Sequence, residues 1–223
     1  MNGNNTYGAL IVGVGGQGTL LASRVIGRLA SKRGFDVKVS EVHGMSQRGG
    51  SVVTYVRYSG EVTPPGKKEG VALPFIESGE VTSPGILGGV ASPLIEPGEA
   101  DIIIAFELLE AARWLDYLKP DGMVVVNSQK IDPMPVITGT ARYPEGLDGI
   151  IKHKCAGAVI IDALKIALEC GSVRSVNFVL LGIASAYMVF SREDWVSSIR
   201  EVTPQRAMDV NLAAFDAGLK LGG

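Results

Sequence analysis

The chain has 223 residues, enough for one well-buried domain or at most two small ones. Hydrophobic residues make up 46% and charged residues 20%, the balance of an ordinary soluble globular protein. A formal net charge of -2 excludes a broad basic field for nucleic acid or for an anionic membrane surface.

Two cysteines, Cys155 and Cys170, are too few for an iron–sulfur cluster, which takes about four thiolates. His153 lies close to Cys155, but His43 is the other histidine and no CxxC occurs, so no zinc pattern forms. Both cysteines are expected as reduced thiols of a cytoplasmic protein, at a core position and a helix end. Residues 1–6 lack the charged start of a secretory signal. The longest apolar run, 176–190, is shorter than the roughly 20 residues that span a bilayer, so a buried helix and no membrane segment are expected.

In chain order, residues 7–12 (YGALIV) read as a buried strand, and 19–33 as a helix with Leu21, Val25 and Leu29 on one face. Residues 36–42 alternate and predict a second strand, so the opening is β–α–β with parallel pairing expected. Residues 51–58 and 101–106 predict further strands, the latter followed by a helix over about 107–118. Pro120, Asp121 and Gly122 read as a turn into a strand at 123–127, with another expected at 136–138. The last third reads as helices over 156–169, 176–190, 192–200 and 204–221. The fold class expected is α/β: a Rossmann-like three-layer domain with a mainly parallel sheet and a helical C-terminal third.

Residues 59–99 fit neither period. SGEVTPPGKKEGVALPFIESGE (59–80) is echoed by SGEVTSPGILGGVASPLIEPGE (78–99) at an offset of 19, with about two-thirds of positions identical. Two copies do not make a solenoid. A tandem duplication inside a connecting segment is the simpler account, either contacting a partner or tolerated without a role.

Gly13-Val14-Gly15-Gly16-Gln17-Gly18 follows a predicted strand and opens a predicted helix, the setting in which GxGxxG has meaning. Gly13 permits a tight turn, Gly15 lets an anion approach the backbone, and Gly18 allows close helix–strand packing. Helix N-terminal amides would then face a phosphate or carboxylate, and Glu41 stands where NAD proteins carry a ribose-binding acid. The alternative is that the glycines serve strand-to-helix geometry alone. A Walker A loop is excluded, because Gly18 precedes Thr19 and no lysine follows.

His43-Gly44-Met45-Ser46-Gln47-Arg48-Gly49-Gly50 leaves the second strand on the same sheet edge. It offers His43, Ser46, Gln47 and Arg48 as donors to an anion or a neighbouring backbone, hinged by Gly49 and its fellow glycines. His43 lacks a carboxylate partner other than Glu41, and Ser46 lacks a nucleophile elbow, so no catalytic residue is expected. The other reading is a glycine-rich turn with solvated side chains. Asp121-Gly122 and Asn127 are too close together for the Asp/Asn pair that holds magnesium in thiamine diphosphate enzymes.

GVGGQG (13–18), EVHGMSQRGG (41–50) and VRY (56–58) resemble the gamma domain of 2-oxoacid:ferredoxin oxidoreductases. So do SPLIEPGEAD (92–101), FELLEAAR (106–113), Asn127, Asn177 with LLG (180–182), and NLAAFDAG (211–218). The resemblance covers nearly the whole chain, and the HGMSQRGG form is most like the beta subunit of indolepyruvate oxidoreductase.

The resemblance implies a non-catalytic subunit of a complex that oxidatively decarboxylates a 2-oxoacid, passes electrons to ferredoxin and releases an acyl-CoA. Thiamine diphosphate, magnesium and the iron–sulfur clusters are then expected in a large partner subunit, with this chain helping to shape the coenzyme A side. It makes 1–223 one gamma-type domain, with the first copy of the repeat as the departure from the family pattern. Two other readings are a free-standing NAD(P)-binding oxidoreductase using residues 13–18 and Glu41, and a scaffold with an empty glycine loop.

Overall fold

A computed structural model describes residues 5–43, 50–60, 81–82 and 90–223. One sheet of seven strands is assembled in the order β4-β2-β3-β1-β5-β6-β7. Its strands are β1 (Asn5–Val14), β2 (Asp36–His43), β3 (Ser51–Gly60), β4 (Val81–Thr82), β5 (Ala100–Ala105), β6 (Leu118–Asn127) and β7 (Val159–Ile161). Strands β1, β2, β5, β6 and β7 run one way, and β3 and β4 the other.

The expected parallel pairing of the first two strands is corrected here. The reversed β3 lies between β1 and β2, with Ile11 opposite Thr54 and Glu41 opposite the same residue from the other side. The cause is connection length. Residues 44–50 are too few for a crossover, so β2 and β3 become antiparallel neighbours. Their shared orientation keeps the C-terminal ends of β1 and β2 on one edge.

Alternation sends side chains into two cores. Ala9, Ile11, Ile102, Ile104 and Val125 face helices α1 (Thr19–Lys32), α6 (Val176–Ser185), α7 (Arg192–Val202) and α8 (Met208–Gly222). Leu10, Val12, Ile103, Val124 and Val126 face α2 (Leu108–Arg113) and α4 (Leu147–Lys154). Full burial of such aliphatic side chains contributes roughly 1.5–3 kcal/mol each before entropy is counted.

On the first face α6 and α8 meet backbone to backbone. A methyl group added to Gly182 would stand 2.1 Å from the Phe215 carbonyl oxygen, and one on Gly222 2.6 Å from that of Ile183. Helix α1 is tied to α7 by Arg33 on Asp194 (2.5 Å) and by Arg28 and Lys32 on Glu201. Asp194 also closes a capping box with Ser191.

Several local expectations change. Pro120, Asp121 and Gly122 lie within β6 at a register shift, where β5 passes from Leu118 to Met123, and a bulge is where a strand tolerates proline. The helix over 107–118 shortens to α2 plus a 3-10 turn at Leu115–Tyr117. The strand at 136–138 is instead part of a helical turn, α3 (Met134–Ile137), with no residue buried. The helix over 156–169 holds β7 first, because the β-branched run Val159, Ile160, Ile161 pairs with β6, and only α5 (Ala163–Glu169) is helical. Helix α4 was not read from the sequence, although Leu147 and Ile151 form its buried i, i+4 pair. Among the described residues no helix is long and apolar enough to cross a membrane.

Candidate functional site

The glycine loop joins the C-terminal end of β1 to α1. Gly16 and Gly18 sit at φ +99° and +92°, left-handed values that side-chain-bearing residues rarely adopt. Gly18 caps α1 without any side-chain hydrogen bond. Gly15 donates its N–H to the Gly50 carbonyl (2.9 Å), which ties the loop to the start of β3.

Gln17 turns back into the sheet. Its Oε1 accepts the Val14 N–H (2.7 Å), and its Nε2 donates to the Phe106 carbonyl (3.1 Å) and reaches Gln129 Oε1 (3.3 Å). A side chain on Gly13 would stand 2.9 Å from Gln17 Oε1 and 3.0 Å from Phe106 Cβ, so Gly13 makes room for this fold-back. Gln17 therefore occupies the crevice between β1 and its parallel neighbour β5. That is where open α/β sheets usually admit a ligand.

A cavity of about 250 Å³ opens on the other side of the loop, lined by Gly15, Gly16, Gly18, Thr19, Leu20, Glu41 and Val52. Glu41 accepts a hydrogen bond from Thr54 Oγ1 (3.1 Å). The sequence-predicted Gly15, Gly16, Gly18 and Glu41 thus meet around one space, although β3 separates β1 from β2. His43 belongs to β2 by its backbone, opposite Val52. Its side chain, and Ser46, Gln47, Arg48 and Gly49, lie outside the described residues.

Sequence reasoning missed the polar network beside the loop. Asn127, fully buried, donates to the Phe106 carbonyl (3.2 Å) and accepts the Ala163 N–H (3.1 Å), joining the ends of β5 and β6 to α5. Glu107, 1% exposed, caps α2 by accepting the Glu110 N–H (2.9 Å), and also accepts from Ile131 N (3.0 Å) and Tyr143 Oη (2.5 Å). Burial, together with donation to Glu107, raises the Tyr143 hydroxyl and keeps it neutral.

Glu110, 5% exposed, accepts from Ser51 Oγ (2.5 Å) and lies 3.3 Å from the Arg113 guanidinium. Burial raises its carboxyl above the ordinary value, and Ser51 and Arg113 offset this only in part. Two acids three residues apart at a helix start were the available signal, matching a capping residue with an acid at N3.

Cys155 is buried in the core against α2 and α4, while the half-buried Cys170 packs on the opposite core beyond the sheet. They do not fit the ligand set of a shared cluster, and among the described residues no group of three His, Cys, Asp or Glu is poised for a metal.

The family model described as "Pyruvate ferredoxin/flavodoxin oxidoreductase" matches residues 8–75 and 76–221. The chain is 38% identical to indolepyruvate oxidoreductase subunit IorB of Pyrococcus horikoshii, over 96% of this chain and 95% of that one. Pyruvate oxidoreductase subunit PORC of Thermotoga maritima shares the fold at a TM-score of 0.64 and 17% identity, over 96% of both chains. A 2-oxoglutarate:ferredoxin oxidoreductase from Magnetococcus marinus, solved with 2-oxoglutarate, coenzyme A and succinyl-CoA bound, matches 99% of this chain at a TM-score of 0.63 and 20% identity. There the match takes up 31% of a longer chain, so the same fold is one part of a larger polypeptide. With the family model matched across both halves of the sheet and near-full-length relatives, the chain belongs to the pyruvate ferredoxin/flavodoxin oxidoreductase family.

Proposed function

We propose that this chain is the cofactor-free subunit of an indolepyruvate (arylpyruvate):ferredoxin oxidoreductase, working only beside a larger subunit. The observation that carries the reading is the near-full-length identity to IorB subunits. The substrate 2-oxoacid loses carbon dioxide, its electrons go to ferredoxin, and the acyl group leaves on coenzyme A. Thiamine diphosphate, magnesium and the iron–sulfur clusters belong to the partner on this reading, since two cysteines in separate cores supply no cluster here. The complex is cytoplasmic. Residues 1–223 act as one gamma-type domain, and the family match is broken at 75/76, inside the repeat at 59–99.

The face assigned to the partner and to coenzyme A is the edge at the C-terminal ends of β1 and β2. It comprises Gly13, Gly15, Gly16, Gln17, Gly18 and Glu41, with His43, Ser46, Gln47, Arg48 and Gly49. The uncapped start of a 14-residue helix attracts an anionic group there. Glu41 opposes one, so Arg48 is assigned the compensating cation. The free-standing NAD(P) reading has no comparable support, because Gln17 fills the crevice beside Gly13.

The test is activity with arylpyruvate, coenzyme A and a ferredoxin-type acceptor, for this chain alone and after co-expression with the large subunit. Turnover by the complex alone supports the reading, and Arg48→Ala should then raise the KM for coenzyme A by roughly tenfold. Failure of the two chains to associate, or NAD(P) turnover by this chain alone, overturns it.

A further inference from the structure

At the opposite edge, where the strands begin, the fold forms an open pocket of about 280 Å³. Its walls include Tyr7 of β1, Tyr58 of β3, Asp101 of β5, Asp121 of β6, and Tyr187 and Met188 from the turn after α6. Tyr7 lies six residues from Gly13 along β1, about 20 Å from the glycine loop. The two sites therefore lie at opposite ends of the strand.

Three features define what this cavity accepts. Tyr58 is 3% exposed, yet its hydroxyl has no hydrogen-bond partner among the described residues. Burial first, then Asp101 and Tyr7, hold that phenol in its neutral form. The Tyr7 and Tyr58 rings stack at 5.2 Å, and with Tyr187 they supply aromatic walls. Asp101 is neutralised by the Lys119 ammonium (2.5 Å) and accepts the Gly8 N–H (2.7 Å). Asp121 is exposed, has no ion-pair partner among the described residues, and leaves the wall with a net negative charge; no lysine or arginine lines it.

We infer that this cavity binds a single organic cation, an alkylammonium or guanidinium head on a short apolar stem. The head donates to Asp121 and to the Tyr58 oxygen, and the apolar stem packs against the tyrosine and methionine side chains of the wall. An anion would meet the Asp121 carboxylate with no cation on the wall to offset it. The volume is just below the range of drug-sized ligand sites, roughly 300–1,000 Å³, and suits a group the size of one side chain. Two sources present that chemistry: a free amine, or a basic side chain of the partner subunit.

The experiment titrates n-butylammonium and ethylguanidinium into the full chain and follows the ring signals of 13C-labelled tyrosine by NMR. A saturable shift at Tyr58, with a Kd on the order of 1 mM, is expected. Asp121→Asn, at an exposed position, and Tyr58→Phe should each weaken it roughly tenfold, and propionate should leave the signals in place. No saturable shift, unchanged affinity in Asp121→Asn, or equal binding of propionate overturns the inference. Repeating the titration on the co-expressed complex identifies the source. Lost binding means that a partner side chain fills the cavity, and retained binding means a free amine. If no complex forms, that failure falls on the proposed function, while the free-chain titration still decides the cavity.

Discussion

Gly218 of α8 lies directly against Val179 of α6: a methyl group on Gly218 would stand 2.1 Å from the Val179 carbonyl oxygen. The obstructing atom is backbone inside a helix buried from Asn177 to Ser185, so it cannot swing aside as a side-chain tip would.

Gly218→Ala should therefore destabilise the chain by about 1–3 kcal/mol or more, through separation of α6 from α8. Gly149→Ala is the control. Gly149 lies in α4 with open space where a methyl would go, so the change should stabilise by about 0.5–1 kcal/mol. Urea unfolding of both variants checks this, and equal midpoints would remove the close-contact argument.

Gln17→Ala should cost about 1–3 kcal/mol and speed hydrogen exchange at the Val14 amide, whose acceptor is lost. Gln17→Glu keeps that acceptor but sets a carboxylate against the Phe106 carbonyl, which has no proton to offer. Its stability should recover as pH falls and the new carboxyl protonates. An unchanged Val14 exchange rate in the alanine variant would show that the loop does not depend on this side chain.

Glu110 gives a pH dependence with a definite sign. Its folded-state carboxyl is raised, chiefly by burial. The stability linked to its neutral form is complete below the ordinary carboxyl range and is lost as pH rises through the raised folded value. Glu110→Gln, which mimics the neutral acid, should gain stability relative to the parent between pH 4 and pH 8. Parallel stability curves for the two proteins across that range would refute the assignment.

The family was legible from its ordered motifs, and the strand-to-helix turn from an apolar run ending in glycines at Gly13–Gly18. The place of β3 was not, because strand order is a long-range choice that local periodicity does not encode. Val159 to Ile161 misled for a related reason, since a short β-branched run suits a helix face or an edge strand until a neighbour pairs with it. Gly15, Gly16, Gly18 and Glu41, singled out by motif, line one cavity. The fold-back of Gln17 onto Phe106 and the burial of Glu107 depend on residues brought from far along the chain.

The sheet ends in a three-residue strand, β7, on one side and the two-residue β4 on the other. Rims this short leave few free backbone donors and acceptors for a foreign strand to zip onto. Among the described residues, β2 pairs with β4 only at Lys38 and Val39, and β6 with β7 only at Val125, Val126 and Asn127, so neither rim is a long, regular ladder. At loops beyond the strand ends and on helix surfaces, by contrast, side-chain identity rather than generic backbone pairing discriminates one neighbour from another.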